Sequence, residues 1–209
     1  VLTITDGNDS FENSFTYIIS TVSENEPRPS GIIDGINYES DTEVVLSVWA
    51  PDISSAYVIG EFSDWTVKPE FQMKKDGEHF WLAVDGLVSG QEYAFQYLLD
   101  ESIFIADPYA DKILDPDDRF IPETVYPNLK EFPEEALKTE WYFNRLAVLQ
   151  TGQVPYDWQV TDFIPPAQED LVIYELLIRD FFENDQINYD NLIDTLSYLQ
   201  DLGINAVQL

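Results

Sequence analysis

Between residues 44 and 99 one pattern recurs: short runs in which every second side chain is apolar, each run closed by a turn signal. "EVVLSVWAP" sets Val44, Leu46 and Val48 on one face and stops at Pro51. "SAYVIGEF", "FWLAVDGL" and "EYAFQYLLD" follow, the last with Tyr93, Phe95, Tyr97 and Leu99 on one side. Asp76-Gly77 and Asp85-Gly86 punctuate the series. Side chains alternate across a strand with period two, so each run presents one face for burial. Several short strands at this spacing predict a β-sandwich of immunoglobulin type, placed at residues 32–120, because roughly 75–90 residues suffice for one such domain. Trp49, between Val48 and Ala50, and Trp81, between Phe80 and Leu82, are expected in core or intersheet packing.

The flanks differ in kind. "VLTIT" and "SFTYIIS" alternate around "DGNDSFEN", a hairpin signal. A lone hairpin is marginal in water, so residues 1–22 read as the last strands of a preceding β-domain. "SENEPRPSG" at 23–31 is polar and proline-bearing, and is expected to be a linker. Residues 121–168 form a connector. Within and around it, "DPYADKILDPDDRFIPETVYPN" has the Pro and Asp content of ordered loop, and "FPEEALKTEW" fits a short helix with Pro133 at its first position. "RLAVLQTGQ" fits either a strand or a helix, and "VPYDWQVTDFIPP" is extended.

At residue 169 the period changes. "LVIYELLI" (171–178) is a nearly continuous apolar run, as in a strand covered on both faces. "NYDNLIDTLSYLQDLG" sets Leu192, Ile193, Leu196, Leu199 and Leu202 on one helical stripe, with Asp190 as the expected cap and Gly203 past the end. "INAVQL" is the next strand. Residues 169–209 thus form one βαβ unit, which cannot bury its faces alone and implies a parallel sheet or barrel.

Charge limits the partners. The 209 residues hold 40 acidic and 10 basic side chains, a formal net charge of −30. Such a field repels phosphate backbones and anionic lipid heads, which argues against nucleic-acid and membrane-surface partners. The acids are read as a solvated surface, with calcium binding by some of them as the alternative. "DPDD" at 115–118 lacks the terminal Glu of a calcium loop and reads as a turn. With no cysteine, disulfides and thiolate chemistry are excluded. The single histidine, His79, lies beside Gly77 at a hairpin and is neither a zinc site nor a triad on its own. No hydrophobic run has membrane-spanning length. The chain opens at Val1 in mid-strand, so the lack of a signal peptide carries no information, and both ends read as cut.

Three stretches resemble the α-amylase superfamily, glycoside hydrolase family 13, in its branching-enzyme, isoamylase and pullulanase-like members. "VWAPDISSAYVIGEFSDW" (48–65) is similar to that group's N-terminal family-48 carbohydrate-binding module, and "ADPYA" (106–110) matches the usual exit from it. "VIYELLIRDF" (172–181) followed by "DTLSYLQDLGINAVQL" looks like the first strand, first helix and second strand of a catalytic (β/α)8 barrel. Departures include Leu177 where a His is common, and Glu61 and Ser63 where Asp and Asn are usual. Glucan-binding members of the module use two exposed tryptophans and a lysine. Trp65 matches the first tryptophan, the lysine falls on Gln96, and the second tryptophan on Ile103 or Phe104. The resemblance therefore implies carbohydrate-binding candidates Trp65, Gln96 and Phe104, with weak glucan binding. Trp65 is equally open to packing between sandwich and barrel.

The same resemblance implies retaining hydrolysis of α-1,4 or α-1,6 links in starch, glycogen or pullulan by two carboxyl groups at the C-terminal face of a closed barrel. Those carboxylates belong after later barrel strands, so no catalytic residue is expected in this chain. No cofactor is expected in these residues, with calcium reserved for the complete enzyme. Glu175, Arg179 and Asp180 are expected to form a structural ion pair or hydrogen bond, with lining of the barrel or its rim as the alternative. The implied partners are an α-glucan polysaccharide or oligosaccharide and the remainder of the chain's own barrel, in a secreted or cell-surface protein. The alternative is a non-catalytic glycan-binding or structural docking module.

Overall fold

A computed structural model describes residues 2–5, 10–13, 22–137, 145–183 and 186–209. It divides into two compact units, Val1–Asp118 with Phe132–Gln153, and Arg119–Glu131 with Val154–Leu209.

In the first unit, β1 (Leu2–Thr5) and β2 (Ser10–Asn13) pair antiparallel, from Leu2↔Asn13 to Thr5↔Ser10. The second strand therefore begins inside the stretch expected to be the turn. The segment 14–20, expected to be a strand, lies outside the described residues.

Two sheets then build the sandwich. One has the order β3 (Gly35–Ser40), β4 (Glu43–Trp49), β7 (His79–Val84), β6 (Lys74–Asp76). The other runs β10 (Ile113–Leu114), β11 (Leu146–Gln150), β8 (Glu92–Leu99), β5 (Ala56–Gly60), with β9 (Ile103–Ile105) also on β8. The alternating faces meet as expected. Val44, Leu46 and Val48 of β4 and Phe80, Leu82 and Val84 of β7 pack with Tyr93, Phe95, Tyr97 and Leu99 of β8 in one buried core. Full burial of each large apolar side chain contributes about 1.5–3 kcal/mol.

Strand β8 organises its sheet. β5 pairs along one edge, from Ala56↔Leu99 to Gly60↔Phe95. The other edge is shared: β9 takes Tyr97–Leu99 and β11 takes Glu92–Phe95. Asp100 and Glu101, at φ 42° and 62°, turn β8 back into β9. The Asp100 carboxylate accepts the Ser54 and Ser55 amides at 2.9 Å each, which holds that left-handed conformation.

Four expectations need correction. The sandwich extends past residue 120, because β11 supplies the hydrogen-bonding partner that half of β8 would otherwise lack. "RLAVLQTGQ" gave no period because both faces of β11 are covered. Segment 23–28 is not a free linker: Glu26 N donates to Lys75 O (2.9 Å) and Lys75 N to Glu24 O (2.8 Å), so it lies as an added edge beside β6. Trp49 is 54% exposed, since with Val44, Leu46 and Val48 pointing inward the odd positions of β4 point out. Trp81 is 6% exposed but also sits on the outer face, where its indole N–H donates to Glu26 O (2.9 Å) and Lys74 caps the ring at 4.8 Å.

The second unit contains β12 (Ile173–Glu175), α1 (Ile178–Phe181), α2 (Tyr189–Asp201) and β13 (Ala206–Gln208). β12 and β13 are parallel, from Ile173↔Ala206 to Glu175↔Gln208, completing a βαβ unit. The strand is shorter than the apolar run predicts, because Ile178 already begins a helical turn. The cap of α2 is Asn188, whose Oδ1 accepts Asn191 N at 2.9 Å, and Asp190 instead lies in the first turn, beside the positive end of the helix dipole. Leu192 and Leu199 are buried with Leu176, whereas Ile193 is 62% exposed.

Candidate carbohydrate-binding site

The outer face of β5–β8–β9 carries an apolar patch. Tyr57, Ile59 and Leu98 form its buried base, and Trp65, Val67 and Phe104 pack partly exposed against them. Phe104 is set by its cross-strand pairing with Leu98. Trp65 is set by the loop that leaves β5. Gly60 is extended there (φ −168°), yet a side chain at this position would place Cβ 2.7 Å from Ala94 O and 2.9 Å from Phe95 Cβ. Only glycine allows that approach. Ser63 Oγ accepts Gly60 N (2.9 Å) and donates to Gly60 O (3.0 Å), while Trp65 N donates to Gly60 O (3.1 Å).

Asp64 and Trp65 follow at φ 52° and 55°. For a bulky side chain the left-handed region costs on the order of 1–3 kcal/mol and persists where surrounding bonds over-determine it. Here the Gly60–Ser63 clasp does so. Both departures in "GEFS" are thereby explained: Ser63 makes the clasp, and Glu61 Oε2 accepts Ala94 N at 2.7 Å, joining the loop to β8. Lys68 Nζ pairs with Asp64 Oδ2 at 2.7 Å and places an ammonium three residues after the indole. Lys68 and Val67 are not marked by the sequence pattern, although both stand within three residues of Trp65 in "WTVKP".

Trp65 and Phe104 are thus brought together, and Gln96 is not. Gln96 shares its strand face with Leu98 but is 1% exposed, and its Nε2 donates to Arg145 O at 2.7 Å. The backbone entering β11 has taken its amide, which puts it out of a sugar's reach.

Other sequence-marked groups are structural. Tyr97 OH donates to Asp107 Oδ2 at 2.6 Å, and Tyr109 N to Asp107 Oδ1 at 2.7 Å, pinning the "ADPYA" exit under the sandwich. Burial pushes the Asp107 carboxyl above its usual range against these two bonds, and burial beside Asp107 pushes the Tyr97 phenol well up. Asp115–Asp118 closes on itself, with Asp118 Oδ2 accepting Asp115 N and Asp115 Oδ1 accepting Asp117 N. Arg179 and Asp180 form an exposed ion pair at 3.0 Å, of a kind worth about 0–1 kcal/mol. Among the described residues no group of three His, Asp or Glu side chains is placed to hold a metal ion, and no helix is long and apolar enough to cross a membrane.

Residues 35–110 match the family described as carbohydrate-binding module 48 (isoamylase N-terminal domain). The 1,4-alpha-glucan branching enzyme GlgB 2 of Clostridium perfringens is 39% identical over 74 residues, which is 33% of this chain and 11% of that protein. The chloroplastic isoamylase 1 of Arabidopsis thaliana is 24% identical over 203 residues, 94% of this chain and 22% of its own. Residues 35–110 are identified as a family-48 module. The catalytic module of the glycogen-degrading pneumococcal virulence factor SpuA shares the fold, with a TM-score of 0.52 at 20% identity over 85% of this chain and 26% of its own. The chain spans between about a tenth and a quarter of the length of these relatives. The family-48 match takes in Trp65, Gln96 and Phe104 together.

Proposed function

We propose that this chain is the N-terminal part of an α-glucan-active glycoside hydrolase of the starch, glycogen or pullulan type, cleaving α-1,4 or α-1,6 links with retention. One observation carries the reading: a family-48 sandwich is followed, in the same chain, by a parallel βαβ unit. In this reading residues 169–209 open a (β/α)8 barrel. A groove of about 670 Å³ lined by Phe163, Ile164, Leu196, Gly203 and Val207 receives the elements that follow. Retaining chemistry needs two carboxyl groups about 5–5.5 Å apart at the mouth of a closed barrel. Two strands do not make that mouth, so the chain itself is catalytically silent and any calcium site belongs to later loops.

The module's part is a shallow contact with neutral glucan through Trp65 and Phe104. An indole and a phenyl ring supply stacking surface, but the buried Gln96 supplies no donor to a sugar hydroxyl. A secreted or cell-surface location agrees with the strongly acidic surface. Affinity electrophoresis in amylopectin gels tests the binding half: the chain is retarded, and Trp65→Ala reduces the retardation while the sandwich still melts cooperatively. Reducing-sugar release tests the other half. Residues 1–209 release none from starch, glycogen or pullulan, and the polypeptide continued through the barrel does. Turnover by residues 1–209 that disappears on changing Glu175 or Asp180 overturns the reading.

A further inference from the structure

The opposite sheet presents a second tryptophan with a different setting. Trp49 ends β4 with 54% of its surface exposed, and its indole N–H donates to Glu78 Oε2 at 3.2 Å. Directly across the strand pair stands His79, its register partner. Next to these, on the same outer face, Asp34 Oδ1 accepts from His79 Nδ1 (2.8 Å), Ser47 Oγ (3.1 Å) and Arg28 Nη1 (3.0 Å). Arg28 also lies 3.6 Å from Asp76 through Nε. Trp81, two places along the same face, is covered by the 23–28 segment, and Trp49 is not.

A single exposed aromatic on a protein surface calls for no explanation. What separates Trp49 from that background is the fixed polar frame. Its ring is oriented by Glu78, and the adjoining imidazole, carboxylate and guanidinium are themselves tied to one another, so little entropy is lost when a ligand meets them. An apolar plate beside a few oriented donors and acceptors is the chemistry that holds a pyranose ring, whose C–H face packs on the indole while its hydroxyls meet polar groups. A net charge of −30 disfavours an anionic occupant and leaves a neutral one unopposed.

We propose that Trp49, with Glu78 and His79, forms a second α-glucan-binding platform on the face of the sandwich opposite Trp65. The proposal rests on the glucan-binding reading above. Since the two platforms lie on different sheets, they engage separate sugar segments, and a branched polymer gains from both where a short oligosaccharide does not.

The test is a titration of the 15N-labelled chain with maltoheptaose, following the indole N–H resonances, with Trp49 assigned by its absence in Trp49→Phe. In a Trp65→Ala background the Trp49 signal should move saturably. Trp49→Ala should weaken amylopectin retention by more than tenfold relative to that background, and Trp49→Phe, which keeps a stacking ring, by less. A Trp49 signal that stays fixed while Trp65 responds in the wild type overturns the second platform and leaves the first standing. Failure of both signals to respond removes the glucan-binding reading with it. A Trp49 signal that follows protein concentration and ignores sugar overturns the proposal by showing that a second copy covers this face.

Discussion

Replacing Gly60 by Ala should destabilise the sandwich and disturb Trp65 together, because the new methyl group has no room. The added Cβ lies 2.7 Å from Ala94 O and 2.9 Å from Phe95 Cβ, and both atoms belong to the central strand β8. The backbone at Gly60 is extended, so alanine meets no conformational penalty there and the whole cost is steric. Neither obstacle is the end of a flexible side chain, so the loop and not β8 must move. Overpacking of this kind costs about 2 kcal/mol, and for a unit between the 60–100- and 150–250-residue classes that lowers the melting temperature by about 6–12 °C. The Gly60–Ser63 clasp shifts with the loop, so the Trp65 indole resonance should move as well. Gly77→Ala is the control: it sits at φ 64° with no atom within 4 Å of the new Cβ, and should cost only the left-handed strain of about 1 kcal/mol without moving Trp65. Calorimetry gives the stabilities and a 15N correlation spectrum the indole positions. A Gly60→Ala protein as stable as the Gly77→Ala control, with Trp65 unmoved, would refute the close-packing argument.

Leu149→Ala should cost about 2–5 kcal/mol in urea unfolding, since Leu149 is fully buried in the sandwich core. A cost near zero would return residues 121–168 to the status of a connector. Asp107→Asn should change the pH dependence of stability. Its carboxyl is raised above 3.8 in the folded protein, so the native state binds the proton more tightly than the unfolded chain. That stabilisation is complete below 3.8 and is lost as pH rises through the folded value. Wild type should therefore lose stability relative to the Asn variant over that window, and a constant difference across it would show that burial does not control this group.

Legibility in the sequence followed the contrast between an element's two faces. β4, β7 and β8 set large apolar side chains on the core face and include Glu43, Ser47, His79, Ala83, Glu92, Ala94 and Gln96 on the other, and this alternation reveals both their existence and their inward residues even where, as in β8, both faces are buried. β11 carries apolar residues on both faces, so its alternation disappears, and only the otherwise unpaired half of β8 creates a need for it. The same alternation contained the orientation of Trp49, because a residue one step from Val48 must face away from the core. Reading it as core followed the general preference of tryptophan over the local period. Segment 23–28 was hidden for another reason. Its attachment to β6 uses backbone hydrogen bonds and the Arg28 ion pairs, and neither leaves a hydrophobic signature.

The candidate site was legible only as far as side chains are placed by their own strand or loop. Trp65 and Phe104 depend on β5, β8 and β9, which lie close in sequence, and they meet as the pattern implies. Gln96 depends on β11, some fifty residues later, whose entering backbone covers it and takes its amide. This burial has a functional consequence. A lysine at this position would have to bury an ammonium against the Arg145 carbonyl or push β11 away, and desolvating that charge is costly. The neutral amide is therefore the side chain that this sheet can close over. Closing the sheet and offering a cation from position 96 are physically exclusive here. The cation near the platform comes instead from Lys68, on a loop that the strand pairing does not constrain.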